Sequence, residues 1–438
     1  IGLAFWSFMT FLSGTAKSFL ALSVYRFGVG IGESSASPSA YSLLADYFSP
    51  KVRATVISIY ASGLYIGSGI GIFIGGLIVD NWNNAYPIIS EAPFGLKGWQ
   101  VAFMAVGIPG MLLALLTWQI KEPPRGLSEG LISSESKNPL KETFKELVGL
   151  TPFGLVGSDN FKKELSINII FTVLIFLASY YLYVLTGDFL QWTAFGIGVY
   201  VICNWIHGLK NRDPVAFLLI FKSKALLLGL LSFPFITFVT YALGAFGPSF
   251  YIRNFSMTAT EVGIIYGLIT VFGSMIGVIC GGILGDKLRE TYVNGKLYLI
   301  MASAVLTGVT AIGFIHSENL VASFTWKFVY HIASTAWLGC AASTVTELVL
   351  PRLRAVASAF FILMLSMIGL ALGPYLTGMV SDIYINSGLL PGPALKNAMT
   401  LTLVVLVLPF GLLAVACKYL KNDEAEIYEK ARSLGEEI

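Results

Sequence analysis

The sequence predicts an all-α membrane protein, and its composition, the length of its apolar runs and the placement of its basic residues all point to that fold class. Of the 438 residues, 55% are hydrophobic and 12% are charged, whereas a soluble domain carries about 25% charged residues. The mean hydropathy of +0.76 indicates that lipid surrounds most of the chain. A net charge of +3 over this length excludes a surface built to bind nucleic-acid phosphates.

Twelve apolar runs are long enough to cross a membrane as helices, since a helix needs about 20 residues to span roughly 30 Å of hydrocarbon. Several runs carry closely spaced small residues, as from Gly67 to Gly71, which suit helix–helix contact in a membrane better than a β-barrel. The runs cover residues 1–16, 18–47, 54–80, 99–119, 165–186, 189–207, 226–252, 258–285, 297–316, 320–349, 355–383 and 396–418.

The basic residues between these runs set the predicted topology. If residue 1 lies on the cytoplasmic side, 22 Lys and Arg residues lie on that side and four lie on the other. Basic loops face the cytoplasm in membrane proteins, so the side that carries the 22, here called the basic side, is predicted to be cytoplasmic. We expect a multi-pass, monomeric protein of the plasma (inner) membrane. Only Arg26 and Lys327 lie inside predicted spans.

The chain contains an internal repeat with an offset of 301 or 302 residues. Spans one to four match spans nine to twelve, as expected for a transporter with two pseudo-symmetric six-helix halves. The matched pairs are Asp46 with Glu347, Pro50 with Pro351, Arg53 with Arg354, Ala54 with Ala355, Gly67 with Gly369, Gly71 with Gly373, Gly76 with Gly378, and Asp80 with Asp382.

The repeat predicts two irregularities. Spans seven and eight have no counterpart before Ile1, so the first two helices of the first half are expected to be absent from this chain. Residues 165–207 match neither half and are expected to be an inserted helix pair. The predicted units are an N-terminal half at 1–119 with four visible spans, a linker with the inserted pair at 120–225, a six-helix C-terminal half at 226–421, and a cytoplasmic tail at 422–438.

Three shorter segments are predicted to be helical outside the spans. The stretches after Pro139 and Pro214 each begin with a proline suited to a helix start and are expected to lie at the membrane surface. The tail alternates acidic and basic residues, as is typical of a solvated helix.

Motifs for enzymatic chemistry are missing from the sequence. The Gly295-Lys296 pair is followed by Leu297 and does not complete a phosphate-binding Walker A loop. There is no His-Glu-x-x-His, no close Cys/His cluster and no Gly-x-Ser-x-Gly elbow in a strand–helix context. We therefore expect no enzyme activity, no metal site and no cofactor.

The second span contains a charged pair at membrane depth, where a charge costs roughly 2.5–3.5 kcal/mol and indicates function by default. Arg26 and Glu33 are seven residues apart and share one helix face, which continues to Ser37. In the functional interpretation Glu33 gains and loses a proton, and Arg26 is its partner or contacts a substrate headgroup. The alternative is a structural ion pair.

The tenth span contains Lys327 and, one turn later, His331. The repeat offset places Lys327 at the position equivalent to Arg26, which suggests a cavity that neutralises an anion from both halves. The alternatives are that Lys327 extends toward the interface and that His331 is an ordinary hydrogen-bonded residue of the bundle.

Aromatic residues on two other spans are candidates for contact with an amphiphilic anion. They are more often packing residues than part of a ligand site. The candidates are Tyr60 and Tyr65 on the third span, and Tyr241 and Phe250 on the seventh.

A charged motif closes the eighth span on the basic side, from Gly282 through Asp286 and Lys287 to Arg289. We expect Asp286 to accept hydrogen bonds from the N-terminus of a neighbouring helix and from Arg354, holding the basic side shut. The alternative is an ordinary basic loop.

These motifs resemble those of the major facilitator superfamily. The segment from Gly282 to Arg289 resembles its loop motif, and the segment from Arg26 to Arg53 resembles its fourth helix and the following loop. Within the superfamily the chain resembles the Spinster (Spns) family. That resemblance is carried by Gly30–Ser34, Gly67–Gly71, Glu122–Gly126, Arg354-Ala355, Gly373–Leu376 and Ser381-Asp382.

The resemblance implies the major facilitator fold and alternating-access transport of lysophospholipids or sphingoid phosphates such as sphingosine-1-phosphate, driven by protons. The family's acidic residue in the fourth helix corresponds to Glu33, while its Asp-Arg pair in the first helix has no position in this chain. The expected partners are the substrate, protons and membrane lipid. Rival functions are a proton-coupled symporter of small organic anions, a lipid scramblase that needs no proton gradient, and a non-transporting membrane receptor.

Overall fold

Helices make up the regular structure of the chain wherever the structure describes it. The computed structural model describes residues 1–124 and 161–433, together with positions 126, 128, 148 and 151, and no strand occurs among these residues. Inside a bilayer the backbone must satisfy its own hydrogen bonds, which a helix does within one segment. The helices are α1 (Gly2–Ser13), α2 (Phe19–Glu33), α3 (Ala36–Tyr47), α4 (Arg53–Ala85), α5 (Gly98–Thr117), α6 (Phe161–Thr186), α7 (Phe189–Arg212), α8 (Pro214–Phe221), α9 (Lys224–Phe255), α10 (Ala259–Thr291), α11 (Gly295–His316), α12 (Leu320–Thr335), α13 (Leu338–Glu347), α14 (Arg354–Met364), α15 (Ala371–Asn386), α16 (Pro391–Thr402), α17 (Val407–Ala416) and α18 (Leu420–Arg432).

Short turns of other helix types join some of these segments. A π-helix connects α14 to α15, so that the eleventh predicted span is continuous, and a 3₁₀ turn connects α16 to α17 in the same way. These segments are the π-helix Leu365–Leu370 and the 3₁₀ helices Ile89–Glu91, Pro93–Gly95, Pro351–Leu353 and Leu403–Leu406.

Nine helices in the described residues are long and apolar enough to cross a membrane. The predicted runs 18–47 and 320–349 are instead each broken into two helices, and the run 1–16 gives the 12-residue α1. At the first break Ser34 and Ser35 donate to the carbonyls of Ile31 and Gly32 at 2.8 and 3.0 Å. Such side-chain bonds compete with the helical ladder.

The two breaks fall at equivalent positions of the repeat, because α3 begins at Ala36 and α13 begins 302 residues later at Leu338. The second break also follows hydroxyl side chains, Ser334 and Thr335, that donate to the carbonyl of His331 at 3.4 and 2.8 Å. The repeat therefore extends from sequence to the local backbone structure.

The glycines of the repeat lie on a helix-contact face in the second half. A Cβ atom on Gly369 would collide with Thr237 Oγ1, and one on Gly373 would collide with the carbonyl oxygen of Phe238. Close packing of this segment against α9 therefore requires glycine. The equivalent Gly67 and Gly71 on α4 have no neighbour of this kind within 4 Å in the described part of the chain.

The two helices that the repeat predicts to be an insertion, α6 and α7, pack against the eleventh span through α7. Trp192 meets Tyr375 edge-on with 5.4 Å between ring centroids, and Trp205 stacks on Phe360 at 5.6 Å. The backbone of Gly198 lies so close to Met367 that a Cβ atom would overlap its side chain. The pair is therefore anchored along much of α7, and α6 packs on α7.

Two of the predicted surface helices are packed more tightly than expected. In α8, which was predicted to lie at the membrane surface, Leu219 and Ile220 are buried in the apolar core. The tail was predicted to be solvated, yet in α18 Asp423 caps the start of α9 by accepting from Ser223 Oγ at 2.9 Å and from the backbone N–H of Ala225 at 2.8 Å. The predicted helix after Pro139 lies outside the described residues.

Candidate functional site

Asp46 and Arg354 join the two halves on the basic side. Asp46 lies near the end of α3, and Arg354 is the first residue of α14. Arg354 Nη1 donates to Asp46 Oδ1 at 2.8 Å, and the two side chains are only 1% and 5% exposed. The backbone N–H of Gly126 donates to the same carboxylate oxygen at 3.1 Å. A buried and hydrogen-bonded ion pair of this kind is costly to break.

Asp286, at the basic end of α10, caps the N-terminus of α4 in the opposite half. Its carboxylate accepts from the backbone N–H groups of Ala54 and Thr55 at 3.2 and 2.7 Å and from Thr55 Oγ1 at 2.7 Å. The negative charge thus lies at the positive end of the α4 dipole. Contact with a helix N-terminus was predicted, but the predicted partner Arg354 was wrong, since Arg354 bonds Asp46.

Lys296 connects Asp286 to the end of α13. Its ammonium lies 2.6 Å from Glu347 Oε1 and 3.5 Å from Asp286 Oδ1, and it donates to Ser343 Oγ at 2.8 Å. Sequence reasoning missed Lys296. The repeat gave no signal for it, because the cation that the repeat assigns beside Glu347 is Arg53, the equivalent of Arg354.

Two glycines allow α4 to lie tightly between α10 and α13. A Cβ atom on Gly282 or on Gly339 would collide with Ser58 Oγ and would lie 2.7 Å from the carbonyl oxygen of Ala54. The backbones of α10 and α13 therefore lie directly against the Ser58 side chain of α4, and no methyl group fits between them. Together with the charged contacts, this packing joins the two halves on the basic side.

The remaining cations of the predicted gate face elsewhere. Arg289 Nη2 lies 2.6 Å from both carboxylate oxygens of Glu424 in the tail helix. Lys287 is exposed and makes no hydrogen bond or ion pair that the described residues show. Among the described residues, the charged contacts that join the two halves on the basic side thus come from Asp286, Asp46, Arg354 and Lys296.

Arg26 and Glu33 are both exposed on α2. The Arg26 guanidinium lies 5.7 Å from the centre of the Phe103 ring on α5. No ion pair joins Arg26 to Glu33 in the described structure, so the structural alternative is not formed here. Ser37 is half-buried and belongs to α3, beyond the helix break.

Lys327 is fully enclosed by aromatic rings in the second half. Its ammonium lies 4.2, 4.4 and 5.0 Å from the ring centres of Phe314, Tyr330 and Tyr266. The side chain is 0% exposed, and within the described residues its nitrogen has no hydrogen-bond partner. Lys327 therefore does not reach the membrane interface, which removes that alternative. No described contact brings it near Arg26.

His331 follows Lys327 by one turn and is hydrogen-bonded within the bundle. Its ring nitrogens lie 3.1 Å from Thr270 Oγ1 and 3.3 Å from Ser274 Oγ. These partners match the alternative in which His331 is a satisfied bundle residue.

The aromatic candidates divide into exposed and buried residues. Tyr60 and Tyr241 are exposed, and Tyr65 is half-buried. Phe250 is only 1% exposed and packs on Tyr251 with 5.2 Å between ring centroids, so in this conformation it belongs to the core.

Comparison with known proteins identifies the family. The sequence profile of the Major Facilitator Superfamily matches residues 1–374. An MFS-type efflux pump of Mycolicibacterium smegmatis is 24% identical, and the match covers 98% of this chain and 78% of that protein. Protein spinster of Drosophila melanogaster is 22% identical over 87% of this chain, which spans 50% of that protein's length. The predicted resemblance to Spinster proteins is thereby confirmed.

A solved structure supports the fold independently. The structure of the MFS proton:xylose symporter XylE bound to 6-bromo-6-deoxy-D-glucose is 13% identical and has a TM-score of 0.55, with 96% of this chain and 79% of that chain covered. At this identity the likeness shows the fold alone, which is the predicted all-α major facilitator fold. From the matched profile and this fold, the chain belongs to the Major Facilitator Superfamily, whose members are membrane transporters rather than enzymes.

Proposed function

We propose that the protein moves an amphiphilic lysolipid or a sphingoid-phosphate-like molecule across the plasma (inner) membrane by proton-coupled alternating access. The similarity to protein spinster supports this substrate class. The observation that carries the proposal is the combination of a basic side closed by Asp46, Arg354 and Asp286 with a charged pair, Arg26 and Glu33, left exposed on α2.

Glu33 is the proposed proton-coupling residue. It is the last residue of α2 and lies two helical turns from Arg26 on the same face. An ionised Glu33 would repel an anionic headgroup that approaches Arg26, whereas a protonated Glu33 leaves the cation as the only charge on this face. Protonation of Glu33 and binding of the anionic headgroup at Arg26 therefore favour each other. This mutual effect is the proposed physical basis of proton coupling.

The apolar part of the substrate has a proposed aromatic surface. Tyr60 and Tyr241 present exposed rings, and Tyr65 is half-buried. Such rings offer a large apolar area with a polar tip, which suits a molecule with a hydrocarbon chain and a polar end. A small organic anion has no such chain, so the aromatic surface favours the amphiphile.

The test is transport by the full-length protein in liposomes under an imposed proton gradient. Uptake of a lysophospholipid is followed beside uptake of a small organic anion. We expect gradient-driven lysophospholipid uptake that Glu33→Gln abolishes, while Glu91→Gln, which neutralises an exposed acid between α4 and α5, leaves it intact.

Three outcomes would overturn parts of this proposal. Unchanged gradient-driven uptake by the Glu33→Gln variant contradicts the coupling assignment. Lipid movement that is equal with and without the gradient indicates a scramblase. Uptake of the organic anion alone contradicts the substrate class.

A further inference from the structure

A cavity lies between α6 and α7, in the part of this helix pair that is farther from the basic side. Its volume of about 320 Å³ is in the range of cavities that bind small molecules. Both helices are long and apolar enough to cross a membrane, so a ligand reaches the cavity from the lipid. The lining is aromatic and aliphatic with several hydroxyl groups, and includes Thr172, Phe176, Tyr180, Tyr183, Phe189 and Thr193.

The aromatic rings of this lining favour a positively charged ligand. Phe176 and Tyr180 are stacked, with 6.3 Å between ring centroids and 13° between ring planes, and Tyr183 meets Phe189 edge-on at 5.7 Å. Phe176 and Tyr180 are 66% and 56% exposed, so a ligand can reach their rings. The face of an aromatic ring carries partial negative charge and attracts a cation, more strongly where water is excluded.

A carboxylate lies at the end of the cavity that is away from the basic side. Asp188 is in the turn between α6 and α7, directly before the lining residue Phe189, and is exposed. The Tyr375 hydroxyl donates to Asp188 Oδ2 at 2.6 Å, and no described lysine or arginine forms an ion pair with Asp188. Because an ionised carboxylate can accept several hydrogen bonds, its negative charge remains available to a cationic ligand.

The turn and the eleventh span hold Asp188 in position. Tyr375 on α15, which donates to the carboxylate, also meets Trp192 of α7 edge-on at 5.4 Å. Thr186 Oγ1 accepts from Trp192 Nε1 at 2.7 Å, and Gly187 has a φ of 80°, a left-handed conformation that favours glycine. The carboxylate is therefore fixed beside the cavity before a ligand arrives, which lowers the cost of binding.

The dimensions of the cavity match the membrane leaflet that is away from the basic side. The lining on α6 extends from Thr172 to Tyr183, about 16 Å at 1.5 Å per residue. Half of a hydrocarbon core of roughly 30 Å is about 15 Å. Asp188, five residues beyond Tyr183, thus lies toward the membrane surface. A charge is costly in hydrocarbon, so a lipophilic ion keeps its charge at that surface while its apolar groups enter the cavity.

We propose that the α6–α7 pair binds a lipophilic organic cation of the leaflet away from the basic side, with the positive charge at Asp188 and the apolar groups against the rings of the cavity. The site is formed by other helices than α2, which carries Arg26 and Glu33. It also takes the opposite charge to the proposed transport substrate, so it does not rest on the proposed function.

The experiment measures equilibrium binding of radiolabelled tetraphenylphosphonium to the full-length protein in phosphatidylcholine nanodiscs, with empty nanodiscs as the blank. Tetraphenylborate, an anion of nearly the same shape, is measured in parallel. Asp188→Asn keeps an acceptor for Tyr375 but removes the charge. We expect it to weaken tetraphenylphosphonium binding about fivefold, as for an exposed charge pair, and not to weaken tetraphenylborate binding. Asp80→Asn, which neutralises an exposed acid at the end of α4 away from the basic side, should bind like wild type.

A second variant tests the aromatic part of the site. The double substitution Phe176→Leu and Tyr180→Leu removes the stacked rings at two exposed positions, so the fold is expected to tolerate it. We expect weaker tetraphenylphosphonium binding at an unchanged melting temperature, whereas Phe410→Leu, which removes an exposed ring of α17, should bind like wild type.

Three results would overturn the proposal. The first is wild-type affinity for tetraphenylphosphonium in Asp188→Asn, and the second is wild-type affinity in the double leucine variant. The third is binding that Glu33→Gln abolishes and Asp188→Asn leaves intact, which would place the cation at α2 instead.

Discussion

Arg354 reaches across the molecule to Asp46, and the repeat places an equivalent arginine and an equivalent acid on the same side. Arg354 Nη1 lies 2.8 Å from Asp46 Oδ1. The repeat equivalents are Arg53, which is 0% exposed, and Glu347, whose side chain is 10% exposed. Each half thus supplies one arginine and one acid to the closed basic side. Lys296 forms an ion pair with Glu347, and the described residues show no such lysine at Asp46. The contacts that the two halves contribute are therefore related but unequal.

Breaking the Asp46–Arg354 pair is expected to favour the conformation that is open to the basic side. Asp46→Asn removes the charge from one member of a buried ion pair, and the loss of one member of such a pair costs about 3–5 kcal/mol. The measurement is the labelling rate of a cysteine placed at the buried Ser58, using a maleimide applied from the basic side. Asp80→Asn, an exposed acid at the opposite end of α4, should leave that rate unchanged. An equal rate in both variants would contradict the gate assignment.

Removing Asp286 is expected to open the same side by a smaller amount. Asp286→Ala loses three hydrogen bonds to the first turn of α4, and loss of such a cap costs about 0.5–2 kcal/mol. Lys296 keeps Glu347 as its partner, so no buried charge is left alone. The labelling rate should therefore rise less than with Asp46→Asn, and a larger rise would falsify this ranking. Glu290→Ala, an exposed acid one turn away, is the control.

A methyl group at Gly339 is expected to hold α4 away from α13. Its carbon would collide with Ser58 Oγ and would lie 2.7 Å from the carbonyl of Ala54. Gly339→Ala should therefore increase labelling from the basic side and slow transport. Gly263→Ala provides the comparison, because a Cβ there meets nothing within 4 Å in the described structure. Matching results for the two glycines would show that helix contact at Gly339 does not limit closure.

Lys327→Met is expected to raise the melting temperature. Burying an ammonium without an acceptor costs several kcal/mol, and three ring contacts return only about 0.5–2 kcal/mol each. Lys296 provides the contrast, because it is equally buried but ion-paired with Glu347, so Lys296→Met should lower the melting temperature. Thermal unfolding of the two variants in one detergent measures both shifts, and a lower melting temperature for Lys327→Met would contradict the prediction.

The Asp213–Arg352 pair predicts a pH-dependent contribution to stability. Burial raises the pKa of Asp213, but hydrogen bonds from Arg352 and from the backbone of Ala216 outweigh burial and lower the pKa below its usual range. A carboxyl with a depressed pKa in the folded state stabilises the fold above the pKa of the unfolded chain and loses that contribution as the pH falls through the folded pKa.

Asp213→Asn should therefore lower the melting temperature at neutral pH, and the difference from wild type should shrink below about pH 4. Thermal unfolding between pH 7 and pH 3 measures this. Asp382→Asn, which alters an exposed acid at the other end of the bundle, is expected to follow wild type throughout. A difference that persists unchanged at low pH would assign the effect of Asp213 to something other than its charge.

Periodic features of the sequence were sufficient to predict the helices, the repeat and the membrane setting. Apolar runs of membrane length became helices because the backbone has no other way to satisfy its polar groups in lipid. Asp286 was placed correctly at a helix N-terminus, because its position at the end of a span leaves it beside the start of a neighbour. The breaks at Ser35 and Ala336 were missed, since they depend on hydroxyl side chains bonding to the backbone.

Residue partners required the tertiary structure. Asp46 and Arg354 are 308 residues apart in the chain, and the sequence alone led to Asp286 as the partner of Arg354. Phe250 is in the core, Lys327 is enclosed by three rings, and Lys296 is part of the closure. Local pattern fixes which face of a helix is apolar, but the rotation and position of one helix against another decide which side chains on those faces meet. For this protein the sequence thus determined the elements and the family, and tertiary packing determined which charged residues meet between the two halves.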